Sequence, residues 1–173
     1  MSPTRIEDYR RWFQYEIDSH AKVLESLEAV SESLRPTEGF QKAVTLMAHI
    51  VAARQLWLFR MGEASQAPRL EDFFPKDMGL DELRKRLDGV HASWSAFLAR
   101  LDDSAIARSF EYQSLDGPWF RNTVADVLTQ LYGHSLYHRG QIALLLRSIG
   151  AEPVSTDFVY WTREPIAAPA PGS

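Results

Sequence analysis

Residues Asn122–Gly150, NTVADVLTQLYGHSLYHRGQIALLLRSIG, decide how the rest of the chain is read. Val124, Val127, Leu128, Leu131, Ile142, Leu145 and Ile149 recur at three- and four-residue spacing, which predicts one long amphipathic helix. His134 and His138 fall on the same stripe, where leucines would be expected. Residues four apart on a helix stand one above the other, roughly 5–6 Å between Cβ atoms, so two such imidazoles can turn toward a single cation. A histidine among apolar neighbours needs partners for its nitrogens. One metal ion meets half of that demand for the pair; the other reading is two histidines bonded to side chains or water.

Upstream, the same periodicity predicts three more helices. Ile6 to about Ser33 carries Ile6, Tyr9, Phe13, Ile17, His20, Leu24, Leu27 and Val30 on one face, so His20 points inward. Arg35-Pro36-Thr37 breaks the pattern, and so short a link implies an antiparallel neighbour. The second helix runs from Thr37 or Glu38 to Met61, with Leu46, His49, Ala53, Leu56 and Trp57 on its inner surface and Gly62 as its stop. Gly62–Met78 is long for a bundle connection and is expected to be anchored by Phe73 and Phe74. The third helix spans Leu80 to Leu101; His91 lies at the edge of its stripe and reads as exposed or in a groove. Trp12, Trp57 and Trp94 read as core. Between Asp102 and Arg121 the aromatic residues and the Asp116-Gly117-Pro118 turn suggest a small β-hairpin or extended excursion. The fourth helix then starts at Asn122 or Thr123, both good caps. Phe158, Tyr160 and Trp161 are expected to pack back on the bundle, and residues 166–173 read as a disordered Pro/Ala-rich tail.

The whole therefore reads as all-α, a single four-helix bundle domain over residues 1–165. With 173 residues a sizeable core is within reach. A net charge of −4 points away from nucleic acid and anionic lipid. No apolar run spans a bilayer and the first residues form no signal peptide, so a cytoplasmic protein is expected. The chain has no cysteine, which removes disulfides, thiolate ligands and a cysteine nucleophile.

Three stretches together resemble a known family: HSLYHRGQIALLLRSIG from His134, Asp157-Phe158-Val159-Tyr160, and LMAHIVAARQLWL around His49. The chain is similar to the DinB (damage-inducible, YfiT-like) family from its first helix to about Trp161. That resemblance implies an up-down-down-up bundle, commonly a homodimer, holding a divalent metal on His49, His134 and His138. It also implies kinship with enzymes that use low-molecular-weight thiols. The expected metal is zinc or nickel, with iron or manganese as further options, since imidazole does not choose among them.

Three neutral imidazoles leave a position open on the ion, as catalytic sites do. Transfer of an external thiol to an electrophilic substrate is the leading expectation, because any nucleophilic sulfur must come from outside this chain. Metal-assisted hydrolysis is weaker, since no glutamate stands between the histidines as in HExxH. A non-catalytic, stress-related or dimeric metal-binding scaffold is the third reading. Gln141, Glu16 and His20 are candidates to orient a ligand or contact substrate. Arg139 is expected to face away from the histidines, in an interhelix or dimer salt bridge.

Overall fold

A computed structural model describes residues 4–166. The long helices are α1 (Arg5–Glu28), α2 (Glu38–Arg60), α3 (Leu80–Arg100) and α5 (Val124–Ser148). Shorter elements are α4 (Asp103–Ala107), β1 (Ser109–Gln113), β2 (Trp119–Thr123) and α6 (Phe158–Thr162), with a single 3-10 turn at Leu70–Phe73. The tail expected at 166–173 lies, after Ile166, outside the described residues.

Side-chain contacts fix the direction of each helix. Arg10 near the start of α1 donates to the carbonyls of Leu98 and Leu101 at the end of α3, while Glu28 at the other end meets Arg84. These two helices are antiparallel. Tyr9 reaches the Ala125 carbonyl and Trp12 stacks on Tyr132, so α1 and α5 run parallel. Gly39 at the head of α2 faces Ile149 beyond the foot of α5, making that pair antiparallel. The Trp94 indole donates to the Arg54 carbonyl and Arg100 pairs with Glu63, which sets α2 and α3 parallel. The order is up-down-down-up, as the resemblance implied.

One expectation fails here. The short link after α1 was read as joining neighbours, yet α1 and α2 face each other across the diagonal, each flanked by α3 and α5. The link can cross because α1 stops at Glu28, not Ser33: the Arg35 guanidinium takes the carbonyls of Glu28 and Val30 and turns the chain away.

Local chemistry sets the other boundaries. Thr123 caps α5, its Oγ1 accepting from Asp126 N at 3.1 Å while Asp126 Oδ2 accepts from Thr123 N at 2.8 Å, which settles the choice left open with Asn122. Gly62 (φ 78°) ends α2 in the left-handed conformation. β1 and β2 pair antiparallel from Ser109↔Thr123 to Gln113↔Trp119, confirming the hairpin, whose turn uses Gly117 at φ 109°. The core runs through all four long helices and includes Phe13, Leu27, Met47, Trp94, Ile142 and Leu146. Trp57 and Trp12 are only part-buried, against the expectation that both were core. Phe158 and Trp161 pack on Tyr15, but Tyr160 faces outward, 53% exposed.

The candidate metal centre

The face of α2 is rotated from its expected setting, while on α5 the expected apolar stripe holds and both histidines stand at its edge, and the two offsets together make the site. The fully buried stripe of α2 is Ala43, Val44, Met47, Ala48, Ile50, Val51, Arg54 and Leu58, so His49, Ala53 and Trp57 stand on its flank. On α5 the buried stripe passes through Leu131, Ser135, Arg139 and Ile142, again leaving His134 and His138 beside it, half-buried. The α2 segment AHIVAARQLWL is apolar around most of its circumference, so periodicity alone could not phase it. The consequence is chemical. Histidines at the seam between two antiparallel helices keep their lone pairs reachable, whereas at the centre of the stripe they would be sealed.

His49, His134 and His138 converge. Nε2 of His134 lies 3.1 Å from Nε2 of His49 and 3.1 Å from Nε2 of His138. One ligand atom from each of the three falls within 4.8 Å of the others. A tetrahedral ion with bonds of 2.0–2.1 Å sets its nitrogens about 3.3 Å apart, so the donor set fits a zinc-sized cation. Burial, then the charge of His138, then His49 and Arg54, holds the His134 imidazole down to about 4. His49 is lowered by burial and next by His138; the Phe73 main chain approaches that ring without hydrogen-bond geometry and acts weakly in the opposite direction. At neutral pH these two rings are therefore uncharged with lone pairs free. Gln141 Oε1 accepts from His138 Nδ1 at 2.7 Å, which fixes that ring and leaves Nε2 bare. Phe74 stacks on His49 (4.7 Å, 18°) and Tyr137 lies edge-on to His138 (5.1 Å), both largely exposed.

Glu16 and His20 are not among the groups that meet the three rings. Glu16 forms a buried ion pair with Arg54, which also donates to Ser135 Oγ, the neighbour of His134. His20 Nδ1 instead meets His91 Nε2 at 3.0 Å, rings stacked at 5.2 Å. His91 is thus buried, 8% exposed, and the edge position assigned to it is corrected: α1 packs over that edge. Arg139 is corrected too. It makes no salt bridge among the described residues, but lies buried over the Tyr15 ring and donates to its hydroxyl at 2.8 Å.

A cleft of about 390 Å³ opens beside His134, in the groove between α2 and α5. Trp57 forms one wall, Asp126 and Gln130 the other, and Tyr112 and Asn122 of the hairpin close the end. The sequence reading missed these residues and Arg54. The Asp126-Gln130-His134 spacing, one turn each, was the available signal for the wall. An arginine inside the apolar run AHIVAARQLWL was the signal for Arg54.

Comparison with known proteins agrees with this fold. The DinB family model matches residues 1–167. Among solved structures, YfiT from Bacillus subtilis, described as a probable metal-dependent hydrolase with an unusual four-helix bundle topology, is similar. The likeness has a TM-score of 0.64 at 18% sequence identity, over 87% of this chain and 92% of that one. No curated protein matches.

Proposed function

This chain belongs to the DinB family, and from that premise we propose that it is a metal-dependent enzyme that transfers a low-molecular-weight thiol to an electrophilic substrate. The observation that carries the reading is three Nε2 atoms gathered at one point beside an open cleft of substrate size. A divalent ion held there would supply Lewis-acid stabilisation of a developing anion at its open position. The protein's part is to keep His49 and His134 neutral, to fix His138 through Gln141, and to shield one side with Phe74. In the transfer, the sulfur electron pair forms the new C–S bond, the leaving group departs with its bonding pair, and the thiol proton passes to solvent.

A second reading, hydrolysis, takes its support from the description of YfiT. Against it, the carboxylate lining the cleft is Asp126, about 12 Å along the axis from His134, too far to act as its general base. The non-catalytic scaffold is disfavoured by the cleft, which a sealed site would not need. No helix among the described residues is long and apolar enough to cross a membrane. Homodimer formation is part of the proposal, with Leu136, Tyr137 and Leu144 exposed on α5, and sedimentation tests it.

The deciding experiment loads untagged protein with zinc, nickel, iron or manganese in turn and supplies a panel of thiols with 1-chloro-2,4-dinitrobenzene. Adduct formed faster than by His134→Ala supports transfer. Rates equal to that variant for every metal and thiol overturn it.

A further inference from the structure

The groove beside His134 has a lining with a definite chemical character. α2 runs away from the three histidines and α5 runs toward them, so Trp57 stands eight residues beyond His49, and Asp126 eight residues before His134. At 1.5 Å per residue both walls are about 12 Å long. That length takes one flat ring and a short head group. Trp57 and Tyr112 meet at 4.9 Å and 74°, presenting an aromatic corner. Tyr112 is fixed by its hydroxyl, which donates to Asn122 Oδ1 at 2.9 Å. Arg60 lies over both rings, 4.8 Å from Trp57 and 4.7 Å from Tyr112, without lining the cleft itself, and braces the corner from outside.

The opposite wall has Val127 and Leu131 at its base, polar groups along its rim, and one sign of charge. Gln130 and Asn122 offer amide groups, and Asp126 is the charged side chain among the described lining residues. Its carboxyl is held below the usual range by hydrogen bonds from the Thr123 main chain and hydroxyl, so it is ionised at neutral pH. A flat aromatic group with an uncharged or cationic edge can lie against the corner and turn that edge to Asp126. A benzoate-like group would set its carboxylate against another carboxylate, which is exposed at the mouth of the groove and repels it through solvent.

We infer that this cleft is the binding site for the electrophilic substrate of the proposed reaction, and that it selects a planar aromatic group, neutral or cationic, between the Trp57–Tyr112 corner and Asp126. Trp57 and Asp126 are the residues that set specificity, and the reacting end of the substrate lies toward His134. This rests on the functional reading above for its head group, but the ring subsite stands on the cleft alone.

The test separates the two. Metal-free protein is titrated with benzamidine, benzamide and benzoate by calorimetry. Benzamide and benzamidine should bind at least about tenfold more tightly than benzoate. Trp57→Ala should lose that binding by about tenfold, Tyr112→Ala serving as the second variant should Trp57→Ala be poorly folded by circular dichroism. Asp126→Asn should narrow the gap between benzamidine and benzoate. Equal or tighter binding of benzoate, no binding of any of the three, or indifference to both aromatic variants overturns the subsite. Zinc-loaded protein is then titrated with 4-carbamoylbenzohydroxamate, whose amide can face Asp126 while its hydroxamate points toward His134, and with acetohydroxamate. A gain for 4-carbamoylbenzohydroxamate over both benzamide and acetohydroxamate, absent in His134→Ala, places the ring and the ion in one site. No gain on zinc loading counts against the three-histidine reading and leaves the ring subsite to the first titration.

Discussion

The five histidines of this chain divide into two groups that solve one problem differently. On the α1–α3 side, His20 Nδ1 and His91 Nε2 face each other at 3.0 Å, so a single proton makes one ring the donor and the other the acceptor. The pair is sealed: His20 has no exposed surface, and burial followed by the charge of Arg54 holds both rings low, His91 to about 4. On the α2–α5 side three Nε2 atoms point at one place, and Gln141 Oε1 accepts the hydrogen bond that His138 Nδ1 donates. Two nitrogens can share a proton; three convergent lone pairs call for a cation. An inward-facing histidine is therefore no sign of a site until its partner is known.

The largest effect should come from breaking the three-ring group at its centre. His134→Ala removes the ring that touches both others, and metal affinity measured by calorimetry should fall more than about a hundredfold, beyond the usual cost of an orienting residue. Part of the pH dependence belongs to the sealed pair, and His134, also held to about 4, adds to it in the same window. Unfolded, His91 takes up a proton near 6.5; folded, it does so only near 4. Its contribution is full above 6.5 and is lost as pH falls toward 4, in total roughly 3 kcal/mol. Urea unfolding of metal-free protein at successive pH values reads this, and a His20→Leu/His91→Leu double variant should reduce the dependence in that window, leaving the share of His134 and His49. His20→Leu alone strands a buried nitrogen of His91 and should cost about 1–3 kcal/mol while leaving metal affinity within twofold. If His20→Leu weakens metal binding tenfold, the two groups are coupled and the contrast drawn here fails. Gln141→Leu should act the opposite way, lowering metal affinity about tenfold with little change in the urea midpoint.

Much of the fold could be read from residues alone, because four stretches repeat their apolar side chains at helical spacing and turn residues punctuate them. The histidines could be singled out, since HxxxH and His49 interrupt apolar runs, but grouping the three came from the family resemblance. What stayed hidden was phase and partnership. Leu145 and Leu146, or Ala52 and Ala53, are alike in hydrophobicity, so nothing local says which faces the core. Arg139 read as one half of an interhelix or dimer salt bridge, but Tyr15, 124 positions earlier, supplies both a ring and a hydroxyl for its guanidinium. His91 owes its burial to His20, 71 positions earlier. Such pairings depend on which helices become neighbours. The diagonal placement of α1 and α2 defeats the expectation that a short link joins adjacent rods.

That crossed arrangement has a consequence for the nascent chain. α1 and α2 emerge first but cannot zip together as a hairpin, since each needs α3 and α5 for its neighbours. His49 must wait for a residue 85 positions later before the ion's seat exists. Closure over that span makes for a slower search than local pairing would give. Until the last long helix has been synthesised, α1 and α2 can pack on α3 but the sides that α5 covers stay open, and a chain cut short before Val124 should be prone to aggregate rather than persist as a smaller bundle.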